Sequence, residues 1–489
     1  MSVKPNTWRF VYSLKLIYLR RPVVFLLGFL LLIGACSDGS DSFPVDESGS
    51  VVLVRGSPMV GGANGINFDH EDKLFIANVF GQSISIIDPD TGEIIDRLGR
   101  EEGILSGADD LTFDAFGTLF WTDPTSGTVK GLKPEEDSFL VAEGFPSANP
   151  ITVGDDGRLF FAQCVASAPN GIFEADPAGV LAPTVVREGD KDCASNGMDW
   201  KAGALYSPRW FEGRVVRVNI DSGELTDITT DWGAPAAVKF NSMGELHAVN
   251  QGNGEVVRID IETGERTVLA VFPEGWLDNL AFDSQDRLFV SSASEGAIVE
   301  ILDNGSTREV SPGGMIVPMG ISLVENVLYT AEPTTLRSFD SSTGEQLGVR
   351  RSTFGLGPFS LPTNVSEIAG NLVLMSFISN QFLVWDLKAD SPIVETSFLL
   401  PMDAEPFQGD LLISEIGAGR VVRARMPDLV HREVIAEGLF VPAGIAVYED
   451  DAYVSDAVQG TVFQIIRGGD VLSEPEPVAT DLNAVSYTH

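Results

Sequence analysis

Along most of the chain, apolar and polar residues alternate in short runs, and the runs return at a regular interval. The clearest is Lys73-Leu-Phe-Ile-Ala-Asn78, which comes back as Thr118-Leu-Phe-Trp-Thr-Asp123 and Arg158-Leu-Phe-Phe-Ala-Gln163. Similar runs start at Ala204, Glu245, Arg287, Val327, Asn371, Asp410 and Asp451, a mean spacing of about 42 residues. A shorter stretch such as Asn64-Gly-Ile-Asn-Phe-Asp69 usually precedes each one. An alternating stretch such as Ser83-Ile-Ser-Ile-Ile87 or Val256-Val-Arg-Ile259 usually follows. A period of two sends successive side chains to opposite faces, so each stretch reads as a half-buried strand. Between strands a tight turn recurs as Asp90-Thr-Gly-Glu93, Asp221-Ser-Gly-Glu224, Glu262-Thr-Gly-Glu265 and Ser342-Thr-Gly-Glu345. Its glycine supplies the positive φ that a hairpin turn needs.

Four strands per unit at this period predict the blades of a β-propeller. Parallel β-helices repeat over far shorter distances, and the fixed leucine ladder of leucine-rich repeats is absent. The expected fold is all-β, with about ten four-stranded repeats over residues 51–489. Ten units exceed the four to eight blades of most rings, which leaves one large ring or two joined rings. Ser311-Pro-Gly-Gly314 marks a candidate split near residue 312.

The beginning of the chain departs from this pattern. Lys4, Arg9, Lys15, Arg20 and Arg21 precede an apolar run from Val23 to Ile33, which ends in Ile33-Gly34-Ala35-Cys36. Charged, apolar and small-residue regions in that order make a secretory signal over residues 1–35, with an uncleaved N-terminal membrane helix as the alternative. Ile-Gly-Ala-Cys resembles a bacterial lipobox, which implies cleavage before Cys36 and acylation of its thiol. Residues 36–50 then form a polar tether, and the chain is expected on the cell envelope, held to the bilayer by lipid. Ser37 after the cysteine favours the outer membrane.

Removing the leader leaves 27 Lys and Arg against 70 Asp and Glu. So acidic a surface repels nucleic acid, leaving a small molecule or a protein as the expected ligand. Beyond Cys36 the cysteines are Cys164 and Cys193. Cys164 ends the second strand of unit three and Cys193 precedes the first strand of unit four. Both positions fall on one face of a propeller, so the pair can form a disulfide there or stand as two reduced thiols.

In a propeller the innermost strand of every blade starts at one face, beside the axis. Aligned on their second strands, units one to six place Asn64, Asp109, Asn149, Asn196, Ala236 and Asp278 at that start. Units seven and ten place Met319 and Ala443 there. Five oxygen-bearing side chains from six units make a candidate site for a hard cation, calcium or magnesium. Asn and Asp also cap turns through their own side chains, and that bland role fits any one of them alone.

The segment Ser195-Asn-Gly-Met-Asp-Trp200 resembles the metal-ligand segment of the gluconolactonase, regucalcin and luciferin-regenerating-enzyme superfamily. Gly254-Glu-Val-Val-Arg-Ile-Asp260 is similar to the unit that follows it there. The resemblance covers roughly residues 60–300. It implies a six-bladed propeller with one divalent cation, Ca2+ by preference, at the mouth. It also implies Asn196 as a metal ligand and Asn149 as a substrate-side residue. Asn64 stands where the family has a ligand Glu, and Ala236 stands where it has the Asp that serves as ligand and base. The metal set is then Asn64, Asn196 and Asp109, with Asp278 and Asp109 as candidates for a replacement catalytic base. The expected function is a lipid-anchored propeller that binds a small molecule or protein partner, with a cation at its mouth. A calcium-dependent hydrolase of a lactone or ester is the alternative, and a purely structural envelope protein is a third reading. His70, His247, His431 and His489 have no zinc spacing, and neither a Gly-x-Ser-x-Gly elbow nor a phosphate loop occurs.

Overall fold

The structure is a computed structural model that describes residues 60–163, 170–189, 196–272, 277–351 and 362–482. Cys36, Cys164 and Cys193, with the leader and tether, lie outside the described residues. As the alternating pattern predicts, the chain is all-β. It forms ten antiparallel four-stranded sheets, and two short 3-10 turns are the helical elements among the described residues. Each sheet is built from four strands consecutive in sequence. The ten sheets, blades 1 to 10 below, span residues 63–98, 111–143, 148–188, 199–229, 235–271, 277–311, 320–351, 364–397, 401–437 and 442–479.

Alternation puts one set of side chains from each blade against the preceding blade and the other set against the following one. The apolar core is accordingly divided into nine clusters, each shared by two neighbouring blades. Six join blades 1 to 6 into a closed ring, the last pairing Phe289 and Ile298 of blade 6 with Ile66, Leu74 and Ile76 of blade 1. Three join blades 7 to 10 in a row. The ten units therefore make a ring of six and an arc of four. Residues 312–319 connect them.

No strand is exchanged across the seam between blades 6 and 1, so side chains close it. Phe68 meets Phe289 edge to face at 5.1 Å. On the lower turns the Ser284 amide and hydroxyl donate to Asp72 at 2.9 and 2.6 Å, and Arg287 pairs with Asp90 at 2.6 Å. Nearer the mouth, the buried Ser291 hydroxyl donates to the Asn64 carbonyl at 2.6 Å.

The ring and the arc meet through buried charge. Arg337 donates to Glu332 at 2.7 Å, both side chains being almost fully buried, and to the Gly314 carbonyl at 2.8 Å. Glu332 also accepts the Ile316 amide at 2.8 Å, and Arg351 of blade 7 pairs with Glu295 of blade 6. These bonds clamp the connector between the two assemblies.

Candidate functional site

The first strands of four of the six ring blades share one irregularity. Between Ala63 and Ile66, Ala148 and Ile151, Pro235 and Ala237, and Leu277 and Leu280 the register slips against the second strand. Such a bulge breaks the simple alternation and re-aims side chains. Here it lets two successive residues of one strand turn towards the axis. The ring mouth is thus built in two tiers.

The upper tier is the one expected from sequence. Asn64, Asp109 and Asp278 are buried, Asn149 and Asn196 are half-buried, and Ala236 is fully buried. The Asn149 amide donates to the Asn196 side-chain oxygen, and the Asn196 amide reaches the Asp278 carbonyl at 3.3 Å. Ala236 of blade 5, between them in the ring, carries only a buried methyl group. On the other side the Asn64 amide bonds the Asp109 carboxylate, which leaves Asn64 Oδ1 buried with no partner.

The lower tier was not singled out from the sequence. Asp110 accepts the Leu111 amide at 2.9 Å and the Ile151 amide of blade 3 at 3.0 Å, and the Asn279 side chain donates to it at 3.1 Å. Asn279 belongs to blade 6 and Asp110 to blade 2, so the pair spans blade 1. Gly65 makes room, because a Cβ there would lie 2.4 Å from Asp110 Oδ1. Deeper still, Lys239 pairs with Asp199 at 3.6 Å and its charge reaches Asp110. The doublets Asp109-Asp110 and Asp278-Asn279 were the available signal.

Electrostatically the mouth gathers buried carboxyls that disfavour one another's charge. Burial drives the Asp109 carboxyl well above its ordinary range, and the negative charges of Asp278, Asp110 and Asp123 push it further. Asp278 is pushed up to about 7 by burial, against the Asn196 hydrogen bond. Asp110 is also pushed up to about 7 by burial, with the Ile151 amide and Lys239 opposing. Among the described residues no three His, Cys, Asp or Glu side chains gather in metal-binding geometry, so any cation here relies on amide oxygens as well. Asn64, Asp109, Asn196 and Asp278 supply only hard oxygen donors, and the orphaned Asn64 Oδ1 suits such an ion.

The arc provides an internal comparison. Its lower tier repeats that of the ring: Asp403 accepts the Ala404 and Ile445 amides at 2.9 and 2.7 Å, and the Asn364 side chain donates to it at 3.2 Å. Its upper tier is Met319, Thr363, Met402 and Ala443. An Asn–Asp strut therefore occurs once in each assembly, whereas the upper tier rich in Asn and Asp belongs to the ring.

No protein-family model and no curated protein matches the chain. Among solved structures it is similar to a streptogramin B lyase, with 15% identity over 66% of this chain and 92% of that one, TM-score 0.41. It is similar to the extracellular domain of a hybrid two-component system from B. thetaiotaomicron, with 12% identity over 86% and 64% of the two chains, TM-score 0.35. It is also similar to luciferin-regenerating enzyme, with 14% identity over 48% and 85%, TM-score 0.39. These are β-propeller proteins at low identity, and the likeness is one of fold. The chain is a β-propeller-like repeat protein.

Proposed function

We propose that this protein is a lipid-anchored propeller of a bacterial cell envelope, and that the mouth of its six-blade ring takes a small polar ligand together with a divalent cation. Calcium suits the all-oxygen donor set best. The anchor rests on the leader and Cys36. The binding site rests on one contrast between ring and arc. Both keep the lower-tier strut, but only the ring fills its upper tier with Asn64, Asp109, Asn149, Asn196 and Asp278. Folding alone does not call for that upper tier, since the arc stacks its blades without it. A buried acceptor left unpaired costs about 1–3 kcal/mol, which a bound cation would recover. Asn64, Asp109, Asn196 and Asp278 would hold the ion, and Asn149 would orient the ligand beside it.

A second reading, metal-dependent hydrolysis of a lactone or ester, draws on the same carboxylates. A base near neutrality is the efficient one, and Asp278 at about 7 meets that condition where Ala236 cannot. Both readings are tested by calcium titration calorimetry and a lactone panel on the wild type and Asn196→Ala. Calcium binding that disappears in the variant supports the binding site, and calcium-dependent turnover selects the hydrolase. Absence of calcium binding to the wild type overturns the cation in both readings.

A further inference from the structure

Where one blade packs on the next, three directly opposed residues of its second, third and fourth strands form a row that faces onward, as Phe75, Ile86 and Asp96 do in blade 1. At the eight junctions other than that of blade 7, the last two places of the row hold at least one side chain of valine size or larger. Ile86, Phe139, Glu174, Arg258, Glu300 and Arg423 are examples. In blade 7 the row is Tyr329, Ser338 and Gly348. A Cβ at Gly348 would meet the Ser338 hydroxyl at 3.2 Å and no other described atom within 4 Å. The two small residues leave a cavity of about 430 Å³ between blades 7 and 8, a volume in the range of small-molecule sites.

The walls of this cavity are apolar and its rim is cationic. Leu336 of blade 7 and Leu372, Leu374 and Trp385 of blade 8 are each at most 5% exposed. Two arginines, Arg337 and Arg350, line it and no carboxylate does, in a chain of net charge −38. Arg337 is committed to Glu332. Arg350 lies over the Trp385 ring at 5.7 Å and pairs at 2.5 Å with Asp390, which also accepts the Trp385 indole N–H at 3.3 Å. Arg350 and Asp390 are both about half exposed, so water screens their pairing and another carboxylate can replace Asp390 at little cost. Tyr329 stands across the junction from Trp385. Burial pushes its phenol above the ordinary range, which keeps it a neutral donor.

We propose that this cavity binds a small aromatic carboxylate. Stacked sheets lie about 10 Å apart, so a missing layer of side chains on one of them leaves a slot about 5 Å thick, which admits a flat ring. The ring lies against Leu372, Leu374 and Trp385, and the carboxylate reaches the Arg350 guanidinium and the Tyr329 hydroxyl at the rim. An uncharged ring lacks that second anchor, and a cation meets Arg350 unfavourably. The site is separate from the six-blade mouth and does not rest on the reading of it.

The test is isothermal titration calorimetry of the full chain in mild detergent with naphthoate and its uncharged analogue naphthylmethanol, the detergent blank being subtracted. Saturable binding of one naphthoate per chain is expected. The alcohol should bind about tenfold more weakly, the factor for one hydrogen bond to a charged group. Gly348→Leu fills the slot and should abolish binding of both compounds, with unchanged circular dichroism and a raised Tm. Ser338→Leu fills it from the neighbouring strand and guards against a folding defect peculiar to Gly348. Arg350→Gln should bring naphthoate down to the affinity of the alcohol. No saturable naphthoate binding to the wild type overturns the proposal, as does binding that survives both filling variants. Equal affinity of the wild type for the two compounds, or full naphthoate affinity in Arg350→Gln, overturns the carboxylate contact.

Discussion

Replacing Asp278 with Asn tests whether the mouth is as dry and as negative as its geometry implies. The carboxyl titrates near 3.8 in a solvated chain and at about 7 in the fold, because burial penalises its charged form. The folded state thus holds this proton more tightly than the unfolded state does. Below about pH 4 the group is protonated in both states and costs nothing. Stability falls as pH rises from about 4 to 7, and the full cost remains above 7. About three pH units at 1.36 kcal/mol each set that cost at about 4 kcal/mol, an upper bound because the mouth can relax. Asn keeps the shape without the charge, so Asp278→Asn should gain up to that amount at pH 8 and nothing near pH 4. Asp109 and Asp110 add to the gain, since each is pushed upward in part by the Asp278 charge. Urea unfolding of both proteins in chelator, from pH 4 to 8, reads the difference directly. Saturating calcium at pH 8 should return about 2.7 kcal/mol to the wild type at a hundred times its dissociation constant, and far less to the variant. Parallel pH profiles for the two proteins would refute the reasoning, because they would mean that the carboxyl is hydrated in the fold.

Three further outcomes follow from particular contacts. Gly65→Ala forces a Cβ to within 2.4 Å of Asp110 Oδ1 and 2.8 Å of the Asp109 carbonyl; a loss of about 1–3 kcal/mol in chemical denaturation is expected, and a neutral result would mean the strut is not rigid. Ser291→Ala removes the donor to Asn64 and the acceptor of the Asn279 amide, so about 1–3 kcal/mol should be lost, with hydrogen exchange rising first in blades 1 and 6; exchange rising elsewhere would count against a side-chain seam. Glu332→Ala leaves the buried Arg337 with Glu295 at 4.0 Å as its remaining carboxylate and should cost up to about 3–5 kcal/mol while widening the small-angle scattering profile of ring plus arc; an unchanged profile would show that the clamp does not set their relation.

The strands and their grouping were legible because the signals are local: a period of two, a glycine turn, and a return every 42 residues or so. Ring size was not, because every junction draws on the same apolar positions. Nothing near Ile66 announces that its partner is Phe289 rather than a residue of a seventh blade. The contacts that close the seam, such as Ser284 on Asp72, join residues 212 positions apart. At the mouth, the upper tier could be read from one fixed offset before the strand. Asp110 and Asn279 escaped because strict alternation sends them away from the axis, and the polar doublets Asp109-Asp110 and Asp278-Asn279 are the only trace the sequence carries of the irregularity that overrules it. Ala236 read as a loss when set against a family pattern. In the fold it is a fully buried methyl position on blade 5, between the blades that carry Asn196 and Asp278.

The ten sheets, each drawn from four consecutive strands, also bear on how such a chain changes over generations. Many closed architectures are stitched from both termini, so that a duplication or deletion tears one sheet. Here one complete unit can be gained or lost in the gene while every remaining sheet stays whole. What must then adapt is the angle at a few interfaces and the handful of polar contacts at a seam. A coding segment that copies itself in steps of one blade can leave a closed ring beside an unfinished one, and the unfinished one becomes raw material on which selection can act without disturbing the first.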